Sequence, residues 1–222
     1  GIGLLGVTFG YLVAMDSPSG RLDNDFHWGT TLWHEMAHVF TLEATNHLVP
    51  RWFSEGVSVY EEWTTGPLPG RHIPIHVLQA AADDKFLGIA DLDSGFIRPT
   101  YEGQVMVSYM QAGLICQYIE RSWGQSALVA MLEQYTQGSD TPEAVEQALG
   151  VSADVFDQGF EAFINDELGP VLDSLEDWRA QLERGFAAAD GGNWDAALQA
   201  ATTAIDSLPE YVADGNAYLL KV

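Results

Sequence analysis

Two histidines, four residues apart, are the first feature of this chain that could do chemistry. They are the first and last residues of an H-E-x-x-H motif at residues 34–38, which reads HEMAH. On a helix, residues four apart lie on the same face, so His34 and His38 can direct two imidazoles at one point. Neutral imidazoles suit Zn²⁺, and Glu35 would then stand beside the metal as a general base.

A helix is the expected setting of this motif. Thr30 or Thr31 can act as its N-cap. Apolar side chains lie on nearly every side of the helix, and this pattern predicts a buried helix. These apolar residues are Leu32, Trp33, Met36, Ala37, Val39 and Phe40. The alternative is that both histidines are core residues bonded to backbone carbonyls and that Glu35 is a solvated charge.

A catalytic zinc needs a third protein ligand and one open position. Glu55 is the candidate, with sixteen residues between it and His38. That separation is enough for the first helix to end near Asn46 and for a second helix to begin at Pro50 beside it, because proline suits the start of a helix.

The two stretches HEMAH (34–38) and PRWFSEG (50–56) resemble those of gluzincins, metallopeptidases that hold zinc through two histidines and a later glutamate. The pattern is most similar to the peptidase-MA-like family found beside tetratricopeptide repeats in bacterial proteins. The resemblance implies an α+β, zincin-like (thermolysin-like) domain with a small sheet and a mainly helical lobe. It also implies one Zn²⁺ per chain, bound by His34, His38 and Glu55.

Residues 3–15 are punctuated by glycine and rich in β-branched side chains, which predicts one or two strands that end at a turn over 16–20. The resemblance makes this segment the sheet edge that pairs with an extended substrate; an ordinary core strand is the alternative. Gluzincin aminopeptidases have a glutamate that holds the amino group of the substrate. Val7 stands at the matching position, which argues against an aminopeptidase.

The stretch YEGQ at 101–104 partly resembles the Y-x-K-G of aminopeptidase gluzincins, whose tyrosine donates a hydrogen bond to the oxyanion. Tyr101 is therefore the predicted catalytic tyrosine. Tyr109 and Tyr60 are alternatives, and core packing is the ordinary role of each. A carboxylate should also orient a zinc histidine, but Val59 stands where the thermolysin-like group has its aspartate. The remaining candidates are Glu61, Glu62 and Glu43.

Composition excludes several partners. The 222 residues include 32 acidic and 9 basic ones, a net charge of −23, which argues against nucleic acid and anionic membrane surfaces as partners.

No apolar run is long enough to span a membrane, and no signal peptide is visible. The chain opens inside a strand-like segment without methionine, which predicts a piece of a longer protein. A periplasmic or extracytoplasmic place in a bacterium stays open. Cys116, the one cysteine, is expected in the core.

The spacing of apolar residues predicts a series of helices in the rest of the first domain. They cover about 75–90, 101–120, 125–136, 141–149 and 152–165, with a loop over 91–99. The composition shifts after Gly169 and Pro170. We therefore expect a peptidase-MA-like domain over residues 1–168 and a tetratricopeptide-like helical segment over 169–222.

The second segment has the spacing of one tetratricopeptide repeat. The residues concerned are Gly192, Trp194, Ala197, Ala204 and Pro209, and Tyr211 would begin the next repeat. A solitary repeat cannot bury its own face. We therefore expect Trp194 to be partly buried against Phe186, and the repeat to dock on the peptidase, to continue into an array, or to bind a protein partner.

These assignments predict a zinc metallopeptidase that acts on a peptide or protein substrate. The bound zinc would activate a water, Glu35 would take its proton and pass it to the leaving amine, and Tyr101 would help to stabilise the oxyanion. Two alternatives stay open. One is a peptidase-like scaffold that binds proteins together with its repeats, and the other is a zinc hydrolase of a non-peptide amide.

Overall fold

The computed structural model describes residues 6–17, 19 and 27–208, and every structural statement below refers to these residues. They are mostly helical and include one two-stranded sheet, which is compatible with the α+β domain expected from the sequence. Among the described helices, none combines the length and the apolar character needed to cross a membrane. Pro209 and Tyr211, which carried predictions, lie outside the described residues.

The sheet is a hairpin of strands β1 (Gly6–Phe9) and β2 (Leu12–Met15). The strands pair antiparallel, with Gly6 opposite Met15 and Phe9 opposite Leu12. Gly10 has a φ of +56°, which glycine adopts without the penalty that a side chain would bring. The described part of the predicted strand segment therefore forms two strands, as expected.

Helices α1 (Trp28–Ala44) and α2 (Arg51–Thr64) carry the two motifs. The predicted N-cap of α1 was wrong: its cap is His27, whose side chain accepts a hydrogen bond from the backbone N–H of Thr30 at 3.1 Å. Pro50, with φ −65° and ψ 150°, precedes α2 as expected. A tight turn in which Asn46 and His47 have positive φ separates the helices.

The prediction that α1 is buried all round was also wrong. One side of α1 contacts α2 and the hairpin, and there Glu35 and Thr41 are buried. On the other side, Trp33, Met36 and Phe40 are 38%, 40% and 69% exposed. Within the described residues, these apolar side chains therefore form an uncovered surface.

The other described helices follow in chain order. They are α3 (Ile75–Ala82), α4 (Ser94–Ile97), α5 (Gln104–Trp123), α6 (Gln125–Thr136), α7 (Thr141–Leu149), α8 (Ala153–Asp190) and α9 (Trp194–Ser207). Helix α3 is shorter than expected, and α4 lies in the predicted loop. Gly124 and Gly150 end α5 and α7 with positive φ.

Helix α2 packs closely on α5 because two glycines face the contact. A Cβ atom on Gly56 would lie 2.7 Å from the carbonyl oxygen of Ala112, and one on Gly113 would lie 2.6 Å from Val59 Cγ1. Glycine at both positions lets the helix backbones approach each other. Tyr109, one turn before Gly113 on α5, is thereby brought to Glu55 on α2.

The chain divides into two compact units, Gly1–His72 with Phe86–Glu161 and Ile73–Lys85 with Ala162–Val222. Helix α8 does not end near Asn165 as predicted but continues through Gly169 and Pro170. Proline removes a single N–H donor, and the helical hydrogen bonds resume beyond it. The predicted domain boundary at 168/169 lies inside this helix.

Trp194 does not have the burial predicted for it. Its side chain is 69% exposed, and that of Phe186 is 42% exposed. Helix α9 instead buries small side chains, and the larger indole in its first turn stays at the surface. The buried residues are Ala197, Ala200, Ala201 and Ala204. Within the described residues, a tetratricopeptide-like role for this segment therefore stays a prediction.

Candidate metal centre

Three potential metal ligands predicted from the sequence converge in the first unit. The Nε2 atoms of His34 and His38, one turn apart on α1, lie 3.1 Å from each other. Glu55 on α2 places Oε2 3.3 Å from His34 Nε2 and 3.1 Å from His38 Nε2. All ligand atoms lie within 4.8 Å of one another. Two imidazole nitrogens and one carboxylate form a donor set that fits a catalytic zinc with an open position.

Glu62 orients the first histidine. Its Oε1 lies 2.5 Å from His34 Nδ1, which leaves Nε2 directed at the other two ligands. Glu62 follows Glu55 by seven residues, so both lie on the same face of α2. Of the three carboxylates considered from the sequence, Glu62 is the one in contact with a ligand; Glu61 bonds Thr65, and Glu43 lies near His47.

Hydroxyl groups orient the second histidine. Ser54 Oγ lies 2.8 Å from His38 Nδ1 and 2.7 Å from Thr41 Oγ1. Ser58, one turn further along α2, has its Oγ 3.4 Å from the same Nδ1 atom. The sequence analysis missed these partners. Their signal was the spacing of Ser54 and Ser58, which are four residues apart and flank the ligand glutamate.

Tyr109 and Arg51 hold the other oxygen of Glu55. Glu55 Oε1 accepts a hydrogen bond from Tyr109 Oη at 3.0 Å and one from Arg51 Nε at 3.2 Å. Burial of Glu55, which is 7% exposed, would raise its pKa, but hydrogen bonds with His34 and His38 and their charge lower that pKa well below its usual range. The carboxylate is therefore held in its charged, metal-binding form.

The pKa of His34 is shifted in the opposite direction. Burial alone would lower it, but hydrogen bonds to Glu55 and Glu62 and their negative charge raise the pKa of His34 to about 9. In the absence of a metal, this imidazole therefore binds a proton at neutral pH. A metal ion that uses Nε2 has to displace that proton.

Tyr109 is the tyrosine that the structure brings to the cluster. Burial, together with the charge of Glu55, raises the pKa of Tyr109 to about 12, so its phenol keeps its proton. Tyr101 and Tyr60 are not among the described residues that line the cavity at the ligands. The catalytic role of Tyr101 stays a prediction, and the geometry favours Tyr109, which the sequence left as an alternative.

Glu35 faces the same cavity and is held by strand β1. Thr8 Oγ1 lies 2.6 Å from Glu35 Oε2 and 2.9 Å from the Glu35 carbonyl oxygen. A Cβ atom on Gly6 would lie 2.6 Å from Glu35 Oε1, so a side chain at residue 6 would displace the carboxylate from its present position. Glu35 itself is 6% exposed. The hairpin thus fixes the carboxylate expected to act as the base.

The cavity at the ligands has a volume of about 350 Å³. Strand β1, helices α1, α2 and α5 and the α1–α2 connection supply its walls. The lining residues are Gly6, Val7, Thr8, His34, Glu35, His38, Leu42, Val49, Arg51, Ser54, Glu55 and Tyr109. This volume leaves room for part of a small peptide beside the three ligands.

Comparison with known proteins gives one family. The family model of the peptidase MA superfamily matches residues 19–166, which include both stretches that carry the candidate metal ligands and cover well over half of the chain. No curated protein and no solved structure gave a significant match. The matched residues contain the three ligands, Glu35 and Tyr109, so sequence similarity and site geometry concern the same part of the molecule. The chain belongs to the peptidase MA superfamily.

Proposed function

We propose that this protein is a zinc-dependent metallopeptidase. The observation that carries the proposal is the convergence of His34, His38 and Glu55 in one cavity with a buried carboxylate, Glu35, beside them. Two histidines and a glutamate are a known ligand set of catalytic zinc in peptidases. Membership of the peptidase MA superfamily supports a peptidase-like activity.

A zinc ion held by His34, His38 and Glu55 would supply Lewis acidity and a water of lowered pKa. Glu35 would take a proton from the water that attacks the peptide carbonyl and would then give that proton to the leaving amine. Thr8 keeps the Glu35 carboxylate in place during both transfers. Tyr109, protonated at neutral pH, donates a hydrogen bond to the developing oxyanion.

Strand β1 is the proposed docking edge for the substrate. Gly6, Val7 and Thr8 line the cavity, so the backbone of an extended peptide can pair beside the metal ligands. Val7 offers no carboxylate for a free amino group. Cleavage within a chain or at its carboxyl end therefore fits this cavity better than removal of an amino-terminal residue.

The first test is metal uptake. Zinc-loaded parent protein should contain one zinc per chain, and His38→Ala should lose most of it, because one of three ligands is removed. His76→Ala is the matched control, since His76 is exposed on α3 and outside the cluster. Full zinc content in the His38→Ala protein would contradict the ligand assignment.

The second test is hydrolysis. The parent should cleave a library of quenched fluorescent peptides, and Glu35→Gln should keep its fold and zinc but lose on the order of a hundredfold or more in rate. A Glu35→Gln rate near that of the parent would show that another group is the base. Full zinc uptake without any hydrolysis by the parent would favour the alternative function, a peptidase-like scaffold for binding proteins.

A further inference from the structure

Arg51 occupies a fixed position in the cavity wall that the proposed chemistry does not use. It is the first residue of α2, and its Nε donates to Glu55 Oε1 at 3.2 Å. Its Nη2 lies 3.4 Å from Tyr109 Oη, and its Cζ lies 5.5 Å from the centre of the Phe96 ring. Contacts to a carboxylate, a phenol and an aromatic ring together restrict the plane of the guanidinium group.

The guanidinium group keeps donors for a ligand. It has five N–H groups, and the two hydrogen bonds to Glu55 and Tyr109 use two of them. The side chain is 48% exposed and lines the cavity. A planar group with several donors on one side matches a carboxylate, which can accept two parallel hydrogen bonds.

Pairing with Glu55 uses only part of the Arg51 guanidinium. The Nε–H group donates to Glu55 Oε1 at 3.2 Å, and this bond can remain when the single O–H of Tyr109 turns from Glu55 to the oxyanion. A guanidinium that served only to pair Glu55 would also have no need to be half-exposed at a cavity. These two observations favour a role toward a bound molecule over a purely structural one.

Charge points to the nature of that molecule. Arg51 is the one lysine or arginine among the described residues that line the cavity, in a chain with a net charge of −23. The cavity is also lined by two negative side chains, Glu35 and Glu55. A bound metal cation would neutralise the charge of Glu55. The charge of Arg51 is then left to attract an anionic group of the substrate.

We propose that Arg51 is a specificity-determining residue that binds a carboxylate of the peptide substrate beside the bond to be cleaved. The carboxylate is either the C-terminal group of the substrate or the side chain of an Asp or Glu residue. The proposal rests on the proposed function, since it places a peptide at the zinc ligands. It adds the class of substrate, a peptide with a carboxylate close to the cleaved bond.

A binding experiment tests this without turnover. The zinc-loaded full chain with Glu35→Gln is titrated into three pools of fluorescein-labelled hexapeptides with random uncharged residues, and fluorescence anisotropy is followed. One pool ends in a free carboxylate, one in a carboxamide, and one in a carboxamide with a single Glu. We expect at least one carboxylate-bearing pool to bind about tenfold more tightly than the uncharged pool, as a charge-assisted hydrogen bond would provide.

The two carboxylate pools distinguish the sources. Tighter binding of the first pool assigns Arg51 to the C-terminal carboxylate, and tighter binding of the third assigns it to an acidic side chain. Arg51→Gln in the same background should remove the preference for carboxylate-bearing peptides. Arg51→Lys keeps the charge but lacks the planar group with two parallel N–H donors, so it should retain only part of that preference. Arg98→Gln is the matched control, because Arg98 is exposed and outside the cavity lining.

The zinc content of every variant is measured in parallel. Equal or undetectable binding of all three pools by the zinc-loaded chain would overturn the proposal, and so would a carboxylate preference that survives in Arg51→Gln with full zinc. Failure of the unmutated chain to take up zinc is a different result. It would refute the proposed function itself and, with it, the placement of a substrate at Arg51.

Discussion

Gly56→Ala is the most direct perturbation of the way in which α5 supports the metal ligands. The added Cβ would lie 2.7 Å from the carbonyl oxygen of Ala112, 3.0 Å from its carbonyl carbon and 3.1 Å from its Cβ. Ordinary contacts of a Cβ begin near 3.4 Å, so α5 would have to move by about 0.7 Å. Two of these atoms belong to the backbone, so rotation of a side chain cannot relieve the contact.

Two opposing effects set the size of the change in stability. Replacing a glycine inside a helix by alanine stabilises by about 1 kcal/mol, and overpacking a core costs about 1–3 kcal/mol. Gly56→Ala should therefore lower the free energy of unfolding by up to about 2 kcal/mol. Gly169→Ala is the matched control. Gly169 lies inside α8, and among the described residues no atom lies within 4 Å of an added Cβ, so it should show the gain alone.

The same displacement should weaken metal binding. Tyr109 lies on α5, three residues before Ala112, and its hydrogen bond to Glu55 Oε1 is 3.0 Å long. Moving α5 away lengthens this bond, and loss of a group that orients a ligand costs about tenfold in metal affinity. Gly169→Ala should leave that affinity unchanged.

The measurements are urea unfolding followed by circular dichroism, and zinc affinity by competition with a chromophoric chelator. A Gly56→Ala protein as stable as Gly169→Ala, with the zinc affinity of the parent, would refute the reasoning. It would show that α5 adjusts without cost and that its distance from α2 does not control the ligands.

Three further predictions follow from single contacts. Thr8→Val should lower kcat by about tenfold with KM and zinc content unchanged, and Thr8→Ser, which restores the hydroxyl, should recover the rate. Because the pKa of His34 is about 9, zinc uptake at pH 7.5 should release about one proton from His34, and fewer protons in Glu62→Gln. Calorimetry in buffers of different ionisation enthalpy measures the number of protons released. A release that stays constant from pH 7 to about 10 would contradict the prediction. Trp194 is 69% exposed, so Trp194→Ala should change the free energy of unfolding by less than about 0.5 kcal/mol. Trp178 is 3% exposed, so Trp178→Ala should lower the free energy of unfolding by about 3–5 kcal/mol.

The part of the site that the sequence predicts is the part encoded by local spacing. His34 and His38 meet because they are one helical turn apart, and the start of the next helix at Pro50 is a local signal that brings Glu55 within reach. By contrast, Thr8 reaches Glu35 across 27 positions and Tyr109 reaches Glu55 across 54. Such contacts depend on how elements pack, which spacing along one element does not reveal.

The wrong predictions have a similar origin. Apolar side chains around α1 predicted burial, but burial depends on which neighbours are present, and Phe40 is 69% exposed among the described residues. Repeat-like spacing predicted a partly buried Trp194, whereas α9 packs through its alanines. The helix that begins near Ser152 was expected to end near Asn165, yet a proline removes a single helical hydrogen bond, and α8 continues through Pro170.

Helix α2 unites the ligand, the groups that orient both histidines and the proposed specificity residue. Glu55 is a proposed metal ligand, Glu62 bonds His34, Ser54 bonds His38, and Arg51 reaches the cavity. Arg51 and Glu62 lie four and seven residues from Glu55, and Ser54 lies three residues after Arg51, so these side chains share one side of the helix and move together. A rotation or slide of α2 relative to α1 would therefore change the third ligand, the direction of both imidazoles and the substrate contact at once. Because Gly56 and Gly113 set how closely α2 approaches α5, these glycines link helix packing to the functions proposed for the α2 side chains.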